Sequence, residues 1–222
     1  MTDQAAAPEA RPRILVFFDY VCPLCYLEWP RLKRLREEHD VELFLVPFEL
    51  RPQLPAEGAS IEDIGAGHSE HVEEYMRRLA AEGGLEIAFP DFMPNSHRAL
   101  VVGEYARDLG PEVHERVHEA LFRAYNGRGE DIGREDTLLR VAGECGLDRT
   151  AVTEAMTSGG YEERLHRFTH LGIDMGVTAT PAALICNQLM IGSRPYEVVE
   201  RALAECLADI EGAPGVDANR AV

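Results

Sequence analysis

The sequence predicts an α/β protein whose sheet-forming segments are split by a large all-helical insertion. Short apolar runs of strand length stand near both ends of the chain, and a stripe with helical spacing follows the first of them. Between about Pro55 and Gly176 the texture is helical throughout, punctuated by Gly, Pro and Asn.

The first segment, RILVFFDY from Arg13, is a continuous apolar run too short for a helix, as in a strand buried on both faces. Pro23 to His39 reads as a helix, because Leu24, Leu27, Trp29, Leu32 and Leu35 form an apolar stripe and the polar residues gather in KRLREEHD. VELFLVPFEL then returns as a second strand and completes a strand–helix–strand unit.

The middle block predicts about six helices and no strand. SEHVEEYMRRLAAEGG ends on glycines that suit a C-cap, NSHRALVVGEYARDLG opens on an Asn–Ser pair suited to N-capping, and PEVHERVHEALFRAYNG has Pro in its first turn. REDTLLRVAGECG, DRTAVTEAMTSGG and YEERLHRFTHLGIDMG follow. TPAALICNQLMIGS then carries two short apolar runs around Asn187 and Gln188, a hairpin signal. RPYEVVERALAECLADI is a last amphipathic helix, with Val198, Leu203 and Leu207 expected on its inner side. Residues 13–56 and 177–210 are thus assigned to one discontinuous α/β domain and residues 57–176 to the insertion. Residues 1–12 and 211–222, rich in Ala, Pro, Gly and charge, are expected to be flexible tails.

Among 222 residues, 22 Lys and Arg stand against 39 Asp and Glu, a formal charge of −17 that argues against nucleic acid or an anionic membrane as partner. The longest apolar runs, ILVFF and LFLVPF, are far too short to span a bilayer. MTDQAAAPEARPR has no basic region followed by an apolar stretch, so no secretory signal is read there and a cytoplasmic location is expected. Five unevenly spaced cysteines do not form the framework of a secreted domain. A closely spaced pair in such a chain is catalytic or metal-binding.

That pair is Cys22 and Cys25, in DYVCPLCYLEWP, where the first strand turns into the first helix. Helical residues three apart have Cβ atoms about 5–6 Å from one another, close to the spacing a disulfide prefers, so one backbone accommodates both redox states. The free amides and dipole at a helix start favour a thiolate, which makes Cys22 the accessible attacking sulfur and Cys25 the deeper, resolving one. A structural zinc site would need a second pair or two histidines, and Cys145, Cys186 and Cys206 supply no second CxxC. Two inert buried thiols are the other alternative. The redox couple is preferred, because a CxxC at a strand-to-helix turn in a βαβ unit is the context that motif requires.

FFDYVCPLCY after a buried strand, Pro30 five residues beyond the second cysteine, and the late GVTATPAALI together resemble the thioredoxin superfamily, specifically its DsbA-like family with a helical insertion. Within it, DYVCPLCYL, PNSHRAL, ALFRAYNGRGEDIG and GVTATPAALICNQLMIGSRP are similar to the FrnE-type branch, related to 2-hydroxychromene-2-carboxylate isomerase and kappa-class glutathione transferase. The resemblance spans residues 13 to 208. It implies a thioredoxin-like fold and assigns Cys22 and Cys25 the nucleophilic and resolving positions. It makes Pro181 the cis-proline and leaves the backbone of Thr180 free to pair with an extended substrate. Pro23 and Leu24, between the cysteines, are expected beside the substrate. Asp19 matches an acidic position that could accept a proton; capping the following turn is its other reading. Strongly oxidising DsbA proteins carry His where this chain has Leu24, so a less oxidising couple is expected.

HERVH, His114 to His118, fits the zinc-peptidase pattern H-E-x-x-H, but Arg116 and the missing third His count against it. Val113, Val117, Ala120, Leu121 and Ala124 already explain that helix as a packed one, and no metal site is predicted. HSEH, His68 to His71, reads as a solvated turn. Cys145, Cys186 and Cys206 are expected to be core cysteines, with a Cys186–Cys206 pair unreadable from spacing alone. Asn95 is either a substrate-side residue, as in the isomerase relatives, or a helix cap.

The preferred function is therefore a thiol–disulfide oxidoreductase acting on protein or small disulfides. It has no bound cofactor beyond its own Cys22–Cys25 disulfide. The alternative on the same fold is a glutathione-dependent isomerase or transferase with glutathione as co-substrate. A binding or holdase module with incidental cysteines is the third.

Overall fold

The computed structural model describes residues 11–212, with side chains through residue 209. Most of the two expected tails lie outside the described residues. The central element is a four-stranded sheet in the order β2-β1-β5-β6. β1 (Arg13–Phe18) and β2 (Glu42–Pro47) run parallel, Arg13 opposite Glu42 and Phe18 opposite Pro47, joined by α1 (Pro23–His39). β5 (Ala182–Ile185) pairs antiparallel with β1, and β6 (Gln188–Ile191) with β5.

The alternation of β1 explains its unbroken apolar run. Ile14, Val16 and Phe18 join the main core with α1, whereas Leu15 and Phe17 face a second cluster with Val46, Phe48, Val177 and Ala182. That second face is covered by α7 (Glu162–Asp174), whose Phe168 packs there with Met175 just beyond its end. A Cβ on Gly172 would stand 2.6 Å from the Phe48 ring, so the glycine lets α7 lie against the sheet. The boundary drawn at residue 176 thus falls just after a helix that packs on the sheet. α7 has the same helical period as the insertion helices, and its apolar residues divide between the two clusters, Phe168 on the sheet face and Leu165 in the main core.

The insertion contains α2 (Glu70–Glu82), α3 (His97–Asp108), α4 (Pro111–Phe122), α5 (Glu135–Glu144) and α6 (Arg149–Thr157), with a π-helical turn at Arg123–Gly127. It is not strand-free as expected. β3 (Ala59–Ser60) pairs antiparallel with β4 (Phe92–Met93), a ladder of two residues each and too short to show alternation. Gly58, at φ 78°, lies so close that a Cβ there would stand 2.6 Å from the Met93 carbonyl oxygen. A hydrogen bond and an ion pair tie insertion to sheet domain along α1: Trp29 Nε1 donates to Glu119 at 2.8 Å, and Arg36 grips Glu115 at 2.6 and 3.1 Å.

Two expectations at the C-terminal end are corrected. In α8 (Tyr196–Gly212) the buried side chains are Ala202, Leu203 and Cys206, with Leu207 half-buried, while Val198 is 40% exposed because it falls off that stripe. Cys186 and Cys206, read as separate core cysteines, form a disulfide with Cα atoms 6.0 Å apart. α8 folds back over β5, a juxtaposition that a separation of 20 residues does not reveal.

Candidate active site

β1 delivers the chain into a tight turn. The amide of Cys22 donates to the Asp19 carbonyl at 3.0 Å, and the Cys22 carbonyl accepts from Cys25 N at 3.1 Å and Tyr26 N at 3.3 Å. Cys22 is the N-cap of α1, in extended conformation with no side-chain cap bond, and Pro23 fills the first turn, where its missing N–H costs nothing. Cys22 Sγ points across to Thr180 and donates to its carbonyl oxygen at 3.3 Å. The Thr180–Pro181 bond is cis, and the Pro181 carbonyl is held by Gly192 N at 2.8 Å. The loop before β5 is thereby fixed against the start of α1, bringing together residues more than 150 positions apart.

The two thiols are inequivalent. Cys22 lies below the ordinary thiol range, chiefly because the Cys25 thiol hydrogen-bonds to its sulfur, with burial opposing. Cys25 is pushed well above that range by burial and by the neighbouring Cys22 sulfur. The Thr180 hydroxyl lies beside both sulfurs and lowers both values. It is buried and has no hydrogen-bond partner of good geometry among the described residues, so it is free to turn toward a thiolate. The expectation of an accessible Cys22 is corrected. The residue is only 6% exposed, because the Thr180 loop covers it, and half-buried Pro23 and Leu24 lie between the cysteines.

Asp19 is 0% exposed. Its Oδ1 accepts from Val21 N at 3.3 Å, the turn-capping geometry, and Oδ2 accepts from Leu50 N at 2.8 Å. Burial raises its pKa to about 6, against the stabilising bonds from Leu50, the Ser96 hydroxyl and Val21. The backbone of Asp19 hydrogen-bonds the Cys25 sulfur, and the charge of its carboxylate opposes ionisation of Cys22. Asn95 spends its amide internally, donating from Nδ2 to the Leu54 carbonyl at 2.8 Å and accepting at Oδ1 from His97 N at 2.9 Å. The capping geometry is present, displaced by one residue from the N-cap Ser96, whose side chain makes no cap bond.

Several residues around the site escaped the sequence reading. Asn126, in the π-helical turn, donates from Nδ2 to the Tyr20 carbonyl at 2.8 Å and so holds the approach to Cys22 from the insertion side. His97 is clamped between Glu49, at 3.1 Å from Nδ1, and Glu162, at 3.0 Å from Nε2. These pairs raise its pKa to about 9. Glu28, one turn beyond Cys25, is buried and accepts from the Ser193 hydroxyl, with burial raising its pKa. The only available hint was position, since Asn126 and His97 fall inside the quoted segments ALFRAYNGRGEDIG and PNSHRAL.

The H-E-x-x-H residues serve packing. His118 sits edge-on among Phe18, Trp29 and Phe122 with centroids 4.6 to 4.8 Å away, and Nδ1 is 3.3 Å from the Tyr20 hydroxyl. Burial holds His114 down at about 3, and Glu115 is engaged by Arg36. His68 and His71 are exposed around the start of α2. Among the described residues, no helix is long and apolar enough to cross a membrane.

The family model "DSBA-like thioredoxin domain" matches residues 13–204. Two curated relatives align over most of their lengths. The uncharacterized protein YwbO of Bacillus subtilis is 27% identical over 197 residues, covering 86% of this chain and 96% of the relative. A 2-hydroxychromene-2-carboxylate isomerase of Pseudomonas putida is 22% identical over 190 residues, covering 84% and 92%. The crystal structure of a probable DsbA oxidoreductase from Streptomyces coelicolor superposes with a TM-score of 0.82 at 21% identity, covering 93% of each chain, a likeness of fold.

Proposed function

Because the chain belongs to the DSBA-like thioredoxin domain family, we propose that it is a thiol–disulfide oxidoreductase in which Cys22 attacks and Cys25 resolves. The observation that carries this reading is the opposed tuning of two touching thiols, Cys22 lowered and Cys25 raised, beside a cis-proline loop. The lowered member is the one that ionises first and attacks, and the raised one keeps its proton until needed.

In the reducing direction the Cys22 thiolate attacks a substrate disulfide, forming a mixed disulfide and releasing one substrate thiol. Cys25 then loses its proton to Asp19 and attacks Cys22 Sγ. The Cys22–Cys25 disulfide forms, the second substrate thiolate leaves, and the two electrons have passed from the dithiol to the substrate. The reverse sequence oxidises a dithiol. Thr180 and Pro181 receive the substrate chain, with Pro23 and Leu24 beside it, and Asn95 borders the site from the insertion. Substrates are protein or small disulfides, with glutathione as a further thiol partner and the cytoplasm as the setting.

Trapping tests the reading. In cells carrying Cys25→Ser, substrates should accumulate covalently on Cys22 and be released by reductant, and Cys22→Ser should trap nothing. The similarity to the isomerase favours one second reading, glutathione-dependent isomerisation on the same site. That reaction would survive loss of Cys25, and Cys22 would then collect glutathione or a small aromatic alone. Capture of proteins on Cys22 counts against it.

A further inference from the structure

We propose that Glu28 and Ser193 are positioning residues that latch the cis-proline loop onto α1, fixing the slot beside Cys22 into which an extended disulfide substrate is laid. The inference rests on the oxidoreductase reading above and adds to it two residues beyond the cysteine pair.

α1 grips the loop at two points. At the helix start, Cys22 Sγ donates to the Thr180 carbonyl at 3.3 Å. Further along, the Glu28 carboxylate accepts from the Ser193 hydroxyl. Both points belong to one backbone unit, because Gly192 N donates to the Pro181 carbonyl at 2.8 Å. Gly192, at φ 82°, lets the chain turn after β6, so that its amide meets Pro181 while the next side chain, Ser193, meets α1. Packing does not close the joint between the two grips. A cleft of about 30 Å³ remains there, lined by Glu28 and Leu32 on the helix and by Pro181, Gly192 and Arg194 on the loop. The first grip needs the Cys22 proton, and it is lost whenever that sulfur ionises or enters a mixed disulfide. The Glu28 grip persists through both, and it is then the one that keeps the loop in register.

The placement of Glu28 points the same way. It is 7% exposed on a helix whose other buried residues, Cys25, Tyr26, Leu27, Trp29, Leu32 and Leu35, are uncharged. A carboxylate there costs stability unless it is hydrogen-bonded, and packing alone would be served by an apolar side chain. Besides Ser193, it accepts from Arg31 Nη1 at 3.4 Å, and Arg31 Nη2 holds Glu82 of α2 at 2.9 Å. The latch thus ties the loop to the insertion as well as to α1.

Alkylation of the reduced protein reads the latch directly. The loop covers Cys22, and Cys145 in the insertion is a second buried free thiol that serves as the internal control. Ser193→Ala should speed iodoacetamide labelling of Cys22 about tenfold, the worth of one hydrogen bond to a charged group, and leave Cys145 at its wild-type rate. Glu28→Ala should do the same, and the double variant no more than either single one, because both remove the same bond. Ser193→Thr keeps the hydroxyl and Glu28→Gln keeps an acceptor oxygen, so each should stay within about twofold of wild type. In turnover of a disulfide-linked peptide, Ser193→Ala should raise KM about tenfold, because the receptive loop position is less populated, and move kcat far less. A small aromatic disulfide has no backbone to lay against the loop, and its reaction with Cys22 should speed up together with alkylation. Ser193 is half-buried in a loop, so its variants test the latch even if Glu28→Ala fails to fold. Unchanged labelling of Cys22, equal acceleration of Cys145, an additive double variant or an unmoved KM overturns the proposal. If the wild-type protein turns over no peptide disulfide through Cys22, the oxidoreductase reading fails, while the labelling rates still decide for or against the latch.

Discussion

Asp19 places a carboxyl where no side-chain surface meets water, and three donors reduce the cost of doing so without removing it. Its pKa in the folded protein is about 6, above the ordinary 3.8. The native state therefore holds this proton more tightly than the unfolded chain. The associated stability is fully present below about pH 3.8 and is lost as pH rises through about 6. Asp19→Asn should flatten that part of the stability–pH curve in thermal melts and slow the resolving step by roughly 100-fold. Leu24 acts at the other sulfur. It offers no hydrogen bond to a Cys22 thiolate, and equilibration against a glutathione buffer should find a couple less oxidising than that of a CxHC protein. Leu24→His should shift the couple toward oxidation, and an unchanged potential would separate that position from thiolate stability.

The elements meet through a few fitted contacts. The His97 clamp joins the start of α3 to the segment after β2 and to the start of α7. Glu49, then Glu162, raise its pKa from 6.5 to about 9. A raised histidine value means the stabilisation is fully present below about pH 6.5 and is lost as pH rises through about 9. His97→Gln should lower the melting temperature clearly at pH 6 and have little effect above pH 9; an equal loss at both would assign His97 to packing. α7 depends on a different fit. Gly172→Ala would drive a methyl group to 2.6 Å from the Phe48 ring, and overpacking of this kind costs about 1–3 kcal/mol, readable by urea unfolding. The helices and main strands were legible because each keeps one period over many residues; α1 begins at Pro23 and ends at His39 as its stripe requires. The β3–β4 ladder and the packing of α7 on the sheet were not, because two residues show no period and a helix stripe does not name what it faces.

Across the whole molecule, the Cys186–Cys206 disulfide fastens α8 to the hairpin that follows the cis-proline loop. Closing a loop of this size restricts the unfolded chain by about 3 kcal/mol, so Cys206→Ala should lower stability by that order, and a thiol reductant should lower the wild-type melting temperature but not that of the variant. By itself the sequence determined the alternation of strand and helix, the insertion between the two halves of the sheet, and the pairing of Cys22 with Cys25, because each is written in local spacing. Only the tertiary structure decided that Thr180 would flank this pair, that Cys186 would meet Cys206, and that the nucleophile would be covered. Those facts depend on contacts between residues from 20 to more than 150 positions apart, which hydrophobic burial enforces and no local pattern records.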